Sequence, residues 1–131
     1  MTVKGNQAWT NTGLRVRSQD RVTLTATGQV CFNEHAESCV GPNGYQDEHG
    51  IYSEGWPGDY LKCDDPLPEE NHASLIVDIG SSMFFAGSSK FFTGKDGFLY
   101  LGINDCTFTG VFPNRGEFTV TIKIERNPQK K

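Results

Sequence analysis

Lysine and arginine are scarce relative to acids: 12 against 16, for a formal net charge of -4. Nucleic-acid binding needs a basic patch, so that class of partner is excluded. No apolar run approaches the ~20 residues of a membrane-spanning helix. The four cysteines include no C-x-x-C pair, so nothing in their spacing favours a zinc site. No segment of useful length has helical periodicity, there is no internal repeat, and hydrophobic content is only 36%. No leader pattern follows Met1, and the expected setting is a mature secreted, extracellular or periplasmic domain carrying an added Met.

What the chain does have is aromatic residues, glycine and turns. Nine Phe, two Trp and four Tyr supply large side chains at few positions, and fifteen Gly and six Pro suit a fold with many reversals. The 131 residues suit one domain over 1–131, with a core over about 8–125. Strand patterns recur at roughly seven- to ten-residue spacing. Arg21 to Thr27 sets Val22, Leu24 and Ala26 against Thr23, Thr25 and Thr27. Leu75 to Ile79, Met83 to Ala86, Lys90 to Thr93, Gly97 to Ile103 and Glu117 to Glu125 follow. Ala8–Thr10 is expected to turn at Asn11-Thr12-Gly13, and Gly28 to break the strand before it. Residues 1–7 and the tail 127–131 read as loose. The expected class is all-β, a sandwich or barrel with one long irregular loop.

That loop is the stretch of about 34–72. Eight acids lie between Asp47 and Glu70, half of the chain's sixteen, with only Lys62 against them. Long irregular stretches in compact domains are usually functional or disordered. Tyr45, Tyr52, Trp56 and Tyr60 recur among the acids. Aromatic rings stack on the C–H face of a pyranose while polar groups bind its hydroxyls. Trp56 is the leading stacking candidate, and a small satellite core is the equal alternative. Trp9 reads as packing.

The second feature is Gly102 to Gly116, GINDCTFTGVFPNRG, between two strand patterns. Asn104, Asp105, Thr107, Thr109 and Asn114 are oxygen donors, and hard cations such as calcium take roughly six to eight oxygens. The same residue types also form ordinary turns. Cys31, Cys39, Cys63 and Cys106 allow three pairings. A Cys31–Cys39 bridge would close a short loop, and Cys63–Cys106 would pin the acidic stretch beside the donor loop. Free buried thiols are the alternative.

Leu101-Gly102-Ile103-Asn104-Asp105, followed by Asn114-x-Gly116-x-Phe118-Thr119-Val120, resembles the signature of the PA-IL-like lectins. These are bacterial galactose-binding lectins, and the resemblance implies an antiparallel β-sandwich of jelly-roll-like, galactose-binding-like form. Ala8 to Leu14, Asp20 to Gly28, Gly41-Pro42-Asn43-Gly44 and Ala73 to Gly80 also resemble segments of that family, so the similarity covers roughly 8–124 apart from 45–72. In the family the sugar binds through calcium, and two galactose hydroxyls complete the ion's shell. The resemblance places the carboxylate ligand on Asp105 and carbonyl ligands on Thr109 and Phe32. It places an amide ligand on Asn114, with Asn104 as a further donor. The preceding amide position falls on Pro113, which has no side-chain oxygen, and the loop is one residue longer. Asp64 or Asp65 is the replacement that the acidic stretch offers.

For the sugar, the resemblance points to His49 and Glu54, with Asp105, Cys106 and Asn114 at the ion and Trp56 as the added aromatic. His49 also reads as a plain exposed loop histidine. The implied function is a non-catalytic lectin or carbohydrate-binding module, with calcium as cofactor and a galactoside or other glycan as partner. It would act as a homo-oligomer or as a module of a larger protein. A structural or protein-interaction sandwich without a sugar site is the alternative. A glycoside hydrolase would need two carboxylates roughly 5 to 9.5 Å apart, and the acidic stretch is more simply a solvated loop.

Overall fold

A computed structural model describes residues 1–31, 39–44, 66–67, 70–71, 73–105 and 115–126. Among the described residues it contains nine strands and no helix. They are β1 (Thr2–Lys4), β2 (Trp9–Val16), β3 (Arg21–Cys31), β4 (Cys39–Val40), β5 (Leu75–Ile79), β6 (Ser82–Phe85), β7 (Ser89–Thr93), β8 (Gly97–Ile103) and β9 (Arg115–Glu125). One sheet has the order β1-β9-β3-β4, with β7 also pairing β3. The other has the order β2-β8-β5-β6, and all pairings are antiparallel.

Alternation decides which face is buried. In β3, Val22, Leu24 and Ala26 turn inward while Thr25 and Thr27 face water. In β9, Phe118 and Val120 do the same between exposed Thr119 and Thr121. From the second sheet come Val16, Leu75, Val77, Ile79, Leu99, Leu101 and Ile103, all in one buried cluster with the first sheet's residues. Burying such a side chain fully contributes roughly 1.5–3 kcal/mol each, so this two-sheet contact holds the sandwich. The expected all-β sandwich is the observed one.

Three local expectations are corrected. β3 does not break at Gly28: its pairing with β9 runs unbroken from Arg21↔Glu125 to Cys31↔Arg115. Gly28 adopts φ 101°, and a Cβ there would lie 2.5 Å from the Glu117 carbonyl oxygen, so the glycine kinks the strand without ending it. β2 likewise continues through Asn11-Thr12-Gly13 as an irregularity in its pairing with β8. The Asn11 and Thr12 side chains accept the backbone N–H groups of Gly13 and Leu14 there, at 2.9 and 3.1 Å. Residues 1–7 are not loose at their start, because β1 pairs β9 and Val3 is fully buried.

The strand directions give the sandwich two unlike ends. At one, four residues, 17–20, join β2 to β3; two, 80–81, join β5 to β6; and three, 94–96, join β7 to β8. The other end carries the connections 5–8, 32–38, 41–74, 86–88 and 104–114. The donor loop and the acidic stretch therefore leave from the same end.

Candidate functional site

β8 delivers the key pair. Leu99, Leu101 and Ile103 hold it in the core, and Ile103 pairs Leu75 at the start of β5. Asn104 and Asp105 come next, at the point where the chain leaves one sheet for the other. Both are buried, Asn104 completely and Asp105 to 3% exposure. The Asp105 N–H donates to the Ile103 carbonyl at 2.8 Å, a tight reversal right after the strand.

Asn104 is engaged on every side. Its backbone N–H donates to Ser74 O at 2.8 Å, and its own carbonyl accepts from Ala73 N at 2.7 Å. Its Oδ1 accepts the Leu67 N–H at 2.8 Å. Its Nδ2 donates to Leu67 O at 2.8 Å and Asn71 O at 3.0 Å, with Glu70 O at 3.4 Å. Only an amide offers a donor and an acceptor in one plane, which this segment of carbonyls and one N–H requires. The amide oxygen retains one lone pair beyond its Leu67 bond.

The neighbouring segment is tied in turn. Ser74 Oγ donates to Asn71 O at 2.8 Å, and Asn71 Nδ2 donates to Asn43 O at 2.9 Å. Leu75 N donates to Pro42 O at 2.8 Å, and Asn43 Oδ1 accepts from Ser88 N at 2.9 Å. Ala73 is held at φ 64°, the one non-glycine residue with positive φ among the described residues. Such a conformation costs on the order of 1–3 kcal/mol and persists where surroundings impose it. Here the fully buried Ala73 sits between Asn71 and the Asn104 carbonyl. Asn43 and Leu67, on either side of the 45–65 stretch, are thus both tied in near the corner that bears Asp105, Asn43 to Asn71 and Leu67 to Asn104.

The first sheet ends at the same place. Cys31, at the end of β3, faces Arg115, at the start of β9. Cys31 is also the register partner of Cys39, and the two form a disulfide, as the short-loop pairing anticipated. Trp9 lies against Gly102: a Cβ there would come within 2.4 Å of its ring, so only glycine leaves room.

Of the expected ion ligands, Asp105 and Asn104 are described; Phe32, Thr109 and Asn114 lie outside the described residues, as does Pro113. His49, Glu54, Trp56 and Cys106 among the sugar contacts, Asp64 and Asp65, and the Cys63–Cys106 pairing lie outside them too. In sequence, Phe32 follows Cys31 and Asn114 precedes Arg115, and those two flanks are register partners. Among the described residues no group of three or more His, Cys, Asp or Glu is assembled. The donors present are a buried carboxylate, an amide oxygen and backbone carbonyls. That set is oxygen only and fits a hard cation. A carboxylate this deeply buried is retained where hydrogen bonds or a cation offset its desolvation.

A solved structure described as "EclA N-terminal domain; PllA-like lectin" superposes with a TM-score of 0.69, covering 95% of this chain and 94% of that one at 23% identity. The chain has the PA-IL-like lectin fold. No family model matches the sequence, and neither does any curated protein. Identity of 23% speaks for the architecture, and the ligand has to be argued from the site.

The sequence singled out Asp105, which the structure places buried just after β8, but not the frame around it. Asn43, Asn71, Ala73 and Ser74 gave no signal as a unit. The Gly41–Gly44 turn was visible as a turn, yet its Asn43 side chain bonding to Ser88 was not.

Proposed function

We propose that the protein is a non-catalytic carbohydrate-binding lectin or module that takes a galactose-like neutral sugar through a calcium ion. The observation that carries this is the buried Asp105 carboxylate at the loop-bearing end of a PA-IL-like sandwich. Asp105, Asn114 and the carbonyls of Thr109 and Phe32 would hold the ion, with Asn104 beside them. When bound, calcium would supply a charge to which vicinal sugar hydroxyls add as ligands. His49, Glu54 and Cys106 would fix the remaining hydroxyls, and Trp56 would cover the apolar face of the pyranose. The Cys31–Cys39 disulfide supports work in an oxidising setting, secreted, extracellular or periplasmic.

Thermal unfolding with calcium, with EDTA, and with calcium plus galactose tests the reading, because ligands of the native state alone raise its midpoint. A rise with calcium and a further rise with sugar is expected. Pro113, at a position where the resemblance implies an amide, favours a second reading, an interaction sandwich without a sugar site. That reading expects no calcium shift and no ligand on a broad glycan array.

A further inference from the structure

Asn104 is fully buried, and the hydrogen bonds of its amide all go to one segment, residues 67–71. That segment returns the acidic stretch to the fold. Its backbone N–H and carbonyl reach Ser74 and Ala73 just beyond. The next residue is Asp105. We infer that Asn104 is a positioning residue: it couples the Asp105 carboxylate to the 66–74 segment, so that a cation held at Asp105 also fastens the return of the acidic stretch. The inference rests on the calcium reading above and adds a regulation to that site.

The physical basis is that Asn104 shares its backbone with Asp105. A displacement of the 67–71 carbonyls pulls the Asn104 side-chain amide and, through its Cα, the backbone that carries Asp105. Coupling of this kind is reciprocal, so whatever fastens Asp105 also fastens the segment. Asn104→Asp keeps the acceptor for Leu67 N–H but sets a carboxylate oxygen against the carbonyls of Leu67 and Asn71. Asn104→Ala removes the side-chain link and leaves only the backbone bonds to Ala73 and Ser74.

The test uses the whole chain stripped of metal with EDTA. Calcium chloride is titrated by calorimetry, and amide hydrogen exchange is followed at Leu67 and Ser74. Val16→Ala, a core truncation at the opposite end, serves as the stability control. In the wild type, calcium should bind and slow exchange at both amides. Asn104→Asp should bind calcium at least tenfold more weakly and lose the calcium-induced protection, while Val16→Ala should keep both despite a lower unfolding midpoint. Should the Asn104 variants fail to fold, Ser74→Ala, which removes only the Ser74–Asn71 bond, should show a smaller loss in the same direction. Wild-type binding with Asn104→Asp, or Ser74→Ala in its place, within threefold of it overturns the coupling alone. A wild type that binds no calcium overturns the calcium reading, and the coupling with it.

Discussion

The two ends of this sandwich solve different problems with the same strands. At the short-turn end, polar groups close on one another. Asp20 is nearly fully buried; its carboxylate accepts the Arg17 N–H at 2.9 Å and pairs with Arg126 just beyond β9. Gly94 N donates to Ser18 O at 3.0 Å, linking two of the turns. At the other end a second buried carboxylate, Asp105, stands where the chain crosses between sheets, beside an amide that fastens a long insert. The Asp20 carboxylate, held by the Arg17 N–H and the Arg126 guanidinium, closes its end of the sandwich. A buried acid at the mouth of two long connections is where a ligand is sought.

Substitutions can break that contrast, beginning with the largest effect. Asp105→Ala should abolish calcium and sugar binding, a loss of at least 100-fold or about 2.7 kcal/mol. Sugar binding retained in that variant would remove calcium bridging as the mechanism. Replacing Cys31 and Cys39 together by serine opens a bridge of sequence separation 8 and should cost roughly 2–3 kcal/mol, read by denaturant unfolding. Because this bridge lies at the loop-bearing end, glycan affinity should fall as well. Asp20→Ala orphans the Arg17 N–H and should cost about 1–3 kcal/mol, while calcium titration stays as in the wild type. Should it weaken calcium binding, the two ends are not independent. The smallest effect belongs to Asp96→Ala. It removes the Arg15–Asp96 pair, half-exposed on both sides, and should shift stability by less than about 1 kcal/mol.

Legibility in the sequence followed the physics of each segment. β3, β5, β8 and β9 were readable because one face is buried and the period of two is strict. β1 was not, since Val3 is its only deeply buried side chain and its order comes from pairing with β9. The Asn11-Thr12-Gly13 run misled because the side-chain-to-backbone bonds that make turns also make a strand irregularity. At the site, Asp105 was legible as an oxygen donor at a strand end. Asn104 read as another donor of the same kind, and nothing in the sequence indicates that its amide is spent on carbonyls more than thirty residues earlier. Composition marks which groups can bind; the chain path alone decides which of them are already bound.

The glycine at position 102 has a practical consequence. By leaving room for an indole, it lets Trp9 pack against β8 at Gly102, which lies three residues before Asp105. The protein has two tryptophans, and the other is Trp56. A Trp56→Phe variant therefore carries a single tryptophan, which can be excited selectively over the four tyrosines. Its emission becomes a built-in optical gauge of events at that corner, with no label attached.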